Sequence, residues 1–176
     1  SHSYINNTTG DLKLRYVGND RVVINNDGTV TTGIGTFTAG ANFDGILSEK
    51  FETTAGKLSD NTNIDLEDGM VHYFTTQEST TSTPNLRWNS SFSLANKMNV
   101  NDAITVTIIT TAAAGGYSAN VTIDGNAVTE EWVGGSAPSA GGSDGLDIYV
   151  YTIICTHASN TGDSGFKVIA NLTNAT

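Results

Sequence analysis

The sequence predicts an all-β chain in which a thin, turn-rich amino-terminal stretch precedes a jelly-roll-like β-sandwich head, and three observations carry that prediction. Charged residues make up only 15% of the chain, against about 25% in ordinary globular domains, and Thr, Ser, Asn and Gly take their places. Nineteen glycines and 2 prolines leave sharp turns to Gly, Asn and Asp, which tolerate positive φ. Apolar residues recur at a period of two, the mark of half-buried strands; long helices have little support.

Residues 1–58 read as short strands: Leu12–Tyr16, Arg21–Ile24, Thr29–Thr32 and Thr36–Thr38. Gly18-Asn19-Asp20, Asn25-Asn26-Asp27-Gly28 and Gly33-Ile34-Gly35 stand between them as hairpin or bend chemistry. Apolar side chains here are sparse and small. Ordering the backbone costs about 1–2 kcal/mol per residue, so a stretch this thin needs partner copies to bury enough surface. Residues 44–58 fit either a short helix or a bent connector, and residues 59–69, SDNTNIDLEDG, an acidic connector.

The head is expected over 70–176. It opens on the strand Met70–Thr75. Ile104, Val106 and Ile108 then line one face of a strand while Thr105 and Thr107 take the other. Val121–Val128 is a strand, an Asp-Gly turn and a return strand. Leu146–Thr156 is apolar on both faces, as a central strand is, and Phe166, Val168, Ala170 and Leu172 alternate in the last one.

Charge narrows the function. Eight Lys and Arg against 18 Asp and Glu give a net charge of −10 and a pI near 4.4, so a nucleic-acid backbone is repelled. No stretch approaches the roughly 18 apolar residues of a membrane span. Cys155 is the only cysteine, which excludes an intrachain disulfide; inside an apolar run it reads as a buried, inert thiol.

Motifs that suggest chemistry have plainer readings. Gly162-Asp163-Ser164-Gly165 repeats the letters around the nucleophile of chymotrypsin-like proteases, but no histidine motif of that family accompanies it and strands flank it, so it reads as a turn. Asp60, Asp65, Glu67 and Asp68 could offer oxygens to calcium, yet they lack EF-hand spacing and a solvated loop is expected. His72 and His157 have no second ligand at metal spacing and read as structural. Gly134–Gly142 lacks the Lys-Ser/Thr of a P-loop. The Asn89-Ser90-Ser91 and Asn120-Val121-Thr122 glycosylation triplets are what a chain so rich in Asn and Thr contains by chance. No metal or cofactor is expected.

Two loops of the head stand out. Residues 112–118 and 131–144 combine small residues with Tyr117, Trp132 and Asp144, which can stack on a sugar face and accept hydroxyl hydrogen bonds. Packing in the core or between subunits explains Tyr117 and Trp132 equally well.

Leu58–Phe74, Ala103–Tyr117 (AITVTIITTAAAGGY) and Val133–Gly142 (VGGSAPSAGG) together resemble the C-terminal region of tail-fibre and related virion proteins of marine phages, notably cyanophages, over roughly residues 58–176. The segment DLKLRYVGNDRVVINNDGTVTTGIGTFTAG is similar to their repetitive stalks. The resemblance implies a homotrimer, which would supply the partner copies, a location on the virion outside the cell, and attachment to a host glycan or outer-membrane component. It fixes no site residue. A purely structural virion piece, a capsid decoration or fibre-assembly module without ligand, is the alternative. A polysaccharide depolymerase ranks lower because no carboxylate pairing is recognisable, and a bacterial surface adhesin fits composition alone.

Overall fold

The computed structural model describes residues 44–176 and, ahead of them, the three short strands β1 (Leu12–Tyr16), β2 (Asn19–Ile24) and β3 (Val30–Thr32). The chain divides into two units, Ser1–Leu47 and Ser48–Thr176. In the first, β1 pairs antiparallel with β2 and β2 with β3; Asn19 and Asp20, expected in a turn, are the first residues of β2. The strand expected at 36–38 and the packing of three stalks lie outside the described residues.

The second unit is all-β, with two mixed sheets and no helix longer than a three-residue 3₁₀ turn among the described residues. Its strands are β4 (Phe51–Thr54), β5 (Asn63–Asp65), β6 (Val71–Gln77), β7 (Asn85–Arg87), β8 (Ala103–Thr111), β9 (Thr122–Ile123), β10 (Asn126–Ala127), β11 (Glu130–Trp132), β12 (Leu146–Cys155) and β13 (Phe166–Ala175). One sheet has the order β11-β13-β12-β8-β6-β4 and the other β10-β9-β7-β5.

From β4 to β9 the chain crosses from one sheet to the other at every strand. It lays β6 parallel to β4 and β8 parallel to β6, and likewise β7 parallel to β5 and β9 parallel to β7. This is three stacked coils of a winding. Jelly rolls pair their strands antiparallel, whereas here antiparallel pairing is confined to β8-β12-β13 and the β9-β10 hairpin. The hairpin turns on Asp124 (φ 52°) and Gly125 (φ 76°), the two positive φ values of a type I′ turn.

The winding stacks like on like. Ile64, Leu86 and Ile123 are register neighbours and form one fully buried row. They meet Val106, Ile108, Tyr149, Tyr151, Ile153 and Val168 of the other sheet in a single core. Outward, the Asn85 amide donates to Asn63 (2.9 Å), the Arg87 guanidinium to Asp65 (2.5 Å) and the Asn89 amide to Glu67 (2.8 Å). Residues 59–69, expected as a connector, therefore contribute β5 and the core side chains Ile64 and Leu66. Residues 44–50 form no helix, and 51–54 are strand β4.

The long strands match the sequence reading. Along β12, Asp147, Tyr149, Tyr151, Ile153 and Cys155 point inward and are buried, and the strand lies between β8 and β13. Tyr151 is fully buried and its hydroxyl has no hydrogen-bond partner among the described residues. An unpartnered buried hydroxyl costs about 1–3 kcal/mol, so Tyr151→Phe is expected to raise stability by about 1 kcal/mol, read as a higher midpoint in urea unfolding.

Candidate functional site

The inward rows of the six-stranded sheet end in polar groups that hold the loops. Asp147, fully buried, accepts Gly142 N–H (2.9 Å to Oδ1) and the Asn174 amide (2.6 Å). Ala114 O accepts Gly141 N–H, so the 134–145 loop is pinned at its carboxyl-terminal end. Glu78, also buried, accepts the backbone N–H groups of Leu58 and Ser59 through Oε1. Neither buried carboxylate was foreseen, although Asp147 keeps step with the inward residues of β12 in the sequence.

Tyr149 connects this framework to the surface. Its hydroxyl accepts Ser118 N–H (3.1 Å), and the Ser118 and Ser82 hydroxyls are 2.7 Å apart. Burial pushes its pKa up to about 12. Tyr149 stacks on Tyr151 (6.4 Å, 5° between planes), and Tyr151 meets the Trp132 ring edge-on (6.4 Å, 74°).

Above this aromatic ladder lie two adjoining clefts. One, of about 300 Å³, is lined by Thr81, Ser82, Thr83, Tyr117, Ala119 and Asn120. The other, of about 320 Å³, runs from Ala119 and Asn120 past Glu130 to Trp132 and the Gly135–Ala137 turn. Sharing Ala119 and Asn120, they form one groove that brings Tyr117 and Trp132, distant in sequence, onto a common surface. Asp144 is exposed and lines neither cleft. Asn120 and Glu130 had no sequence signal, since both sit in short polar stretches beside weak strands.

The groove walls are fixed, but several of their polar groups are unoccupied. Ser82 N–H donates to Tyr117 O, Gly135 N–H to Trp132 O, Val121 N–H to Glu130 Oε1, and Lys167 pairs with Glu131 at 3.3 Å. The Tyr117 hydroxyl, the Asn120 amide and the Thr81 and Thr83 hydroxyls make no hydrogen bond to a described residue. Trp132 differs: it packs partly against the core, and its Nε1 is buried without a partner among the described residues, so it offers the groove a ring surface and no donor.

A third cleft, of about 270 Å³ between Asn85, Arg87, Phe92 and Asp124, contrasts with the groove. Asn85 Oδ1 already accepts Gly125 N–H and the Thr122 hydroxyl, Asn89 Oδ1 accepts Ser91 and Phe92 N–H, Asp124 accepts Leu94 and Ala95 N–H, and Arg87 is held by Asp65. Those groups are spent on the fold.

The other residues singled out by sequence fall as follows. Gly162–Ser164 is a 3₁₀ turn in which the Ser164 hydroxyl donates to Thr161 O (2.7 Å), while Asp163 binds Thr129. His157 is exposed, and its ring is 3.4 Å from the neighbouring Thr156 hydroxyl; among the described residues no histidine hydrogen-bonds the Ser164 hydroxyl. Cys155 is buried. Asp65, Glu67 and Asp68 pair with Arg87, Asn89 and Lys50.

His72 is buried between the sheets and donates from Nε2 to Gly69 O (2.9 Å). Burial lowers its pKa below 6.5, against the opposing pull of Gly69 O and of Glu52, Asp68 and Asp65. A base whose pKa is lower in the folded state binds its proton more readily when unfolded, so its contribution to stability is complete above 6.5 and declines as pH falls below that value. Unfolding free energy is expected to fall between pH 7 and 5, with a smaller slope in His72→Gln, measured by denaturant titration at each pH.

Comparison of the chain with protein-family models, with curated proteins and with solved structures finds no match in any of the three.

Proposed function

We propose that this chain is the distal part of a phage tail fibre, a homotrimer on the virion whose β head attaches to the host surface through the Tyr117–Asn120–Trp132 groove. The observation that carries the reading is the groove itself. It has rigid walls and two aromatic surfaces, and its free hydroxyl and amide groups are ready to bind a partner. The tail-fibre resemblance of residues 58–176 supports the setting, and the sparse apolar content of residues 1–58 supports the trimer. A single groove binds weakly; three per fibre and several fibres per virion raise avidity through effective concentration. No covalent chemistry is required.

The test is host-cell binding by the purified protein and by Tyr117→Ala and Trp132→Ala, with mass measured in parallel by light scattering. A particle of about three times 18.4 kDa is expected in all three, with loss of an aromatic anchor costing about 2 kcal/mol of binding. Unchanged binding in both variants removes the groove; a monomeric mass removes the trimeric stalk. Trp132→Ala also opens the contact with Tyr151, so Tyr117→Ala is the cleaner probe.

A fibre-assembly module without ligand is the second reading. It is favoured by Phe51, 58% exposed on β4, the edge strand of the six-stranded sheet, where a second copy could cover it. Trimer formation with no cell binding would select it.

A further inference from the structure

We infer that the groove takes an uncharged, linear saccharide laid across Asn120, in preference to an anionic glycan or a single terminal sugar; this rests on the attachment reading above. Two features of the groove, its charge and its division, lead there.

The free groups that line the groove are neutral: the Tyr117, Thr81 and Thr83 hydroxyls and the Asn120 amide. The charged groups that line it are the acids Glu130 and Glu131. The nearest cation in the hydrogen-bond network, Lys167, is held by Glu131 at 3.3 Å. The net charge of −10 also belongs wholly to residues 44–176, which carry five Lys and Arg against fifteen Asp and Glu. A carboxylate or phosphate entering the groove would lose water, find no counter-charge and face Glu130 at short range, where salt screens little. Hydroxyl and acetamido groups meet no such penalty, since each can both donate and accept with the amide and hydroxyls present.

The division sets the ligand's length. An aromatic surface stands at each side, Tyr117 in one cleft and Trp132 in the other, and the shared pair Ala119–Asn120, polar through Asn120, separates them. A pyranose ring has an apolar C–H face and a hydroxyl rim. One ring against Tyr117 and another against Trp132, with hydroxyls turned to Asn120, uses both surfaces at once. A single sugar fills one cleft and leaves the other in water. Because Trp132 Nε1 is buried, the Trp132 side reads ring shape alone.

The experiment is calorimetric titration of the full-length protein with neutral gluco-, galacto- and manno-oligosaccharides of one to six units. Polygalacturonate, sialyllactose and a phosphorylated lipopolysaccharide core serve as anionic probes, and host-cell binding is measured alongside. For at least one neutral series the dissociation constant should fall about tenfold or more from one unit to four. Asn120→Trp, which plugs the junction at an exposed position, should abolish that gain with the melting temperature unchanged. Tyr117→Ala should weaken the whole neutral series. Binding confined to anionic probes, or neutral binding that ignores chain length or the plug, overturns the inference. Cell binding without binding to any saccharide also overturns it but leaves the attachment reading standing, whereas no cell binding at all defeats both.

Discussion

Asp147→Ala is expected to lower stability by about 2 kcal/mol. The carboxylate is fully buried and accepts Gly142 N–H and the Asn174 amide. Its removal leaves the half-buried Gly142 N–H without its partner, at about 1–3 kcal/mol, turns the exposed Asn174 amide to water, and frees the end of the 134–145 loop. Urea unfolding should show a lower midpoint at unchanged slope. Amide exchange of Gly142 should accelerate more than that of β8, because the loss begins at the loop. A midpoint within experimental error of the parent would show that Asp147 does not hold this end of the six-stranded sheet.

Gly145→Ala should be at least as damaging. Gly145 has φ +71°, and a Cβ built there would stand 2.0 Å from Ala175 O, a backbone atom of the neighbouring strand that cannot step aside. The left-handed conformation adds about 1–2 kcal/mol for a residue with a Cβ. The β12–β13 register starts at Leu146↔Ala175, so relief requires the end of the ladder to part. A loss of more than about 3 kcal/mol is expected, by the same unfolding measurement. A variant as stable as the parent would mean that β13 ends before Ala175 in solution.

What the sequence disclosed was local. The alternation in Ala103–Thr111 and Phe166–Ala175 predicts which side chains point inward, and the doubly apolar run at 146–156 predicts a central strand. Alternation is identical in parallel and antiparallel strands, so it is silent about the winding of β4 to β9. Asp65 and Glu67 read as solvated acids because their partners, Arg87 and Asn89, sit one coil later in the chain. The same limit applies to the groove: Tyr117 and Trp132 were recognisable as loop aromatics, but their union through Asn120 depends on how the coils stack. Asp144 had the right chemistry for a ligand, and the turn at Gly145 places it outside both clefts.

The stacked coils also bear on the order in which the molecule assembles. Each strand from β4 to β9 finds its parallel neighbour only after the chain has visited the opposite sheet, so those pairings must close long loops before any contact compensates them. β12 and β13 are different: they are ten-residue strands, antiparallel in continuous register, joined by the short connection at 156–165. Among the long pairings of the second unit this hairpin closes the shortest loop, and β8 is the first long strand that can dock on it. Substitutions at Ile153 and Val168 should therefore slow folding, with φ values well above those at Ile64 and Leu86, where the same truncations should mainly hasten unfolding. Uniform φ values across the four positions would show that the coils and the hairpin condense together.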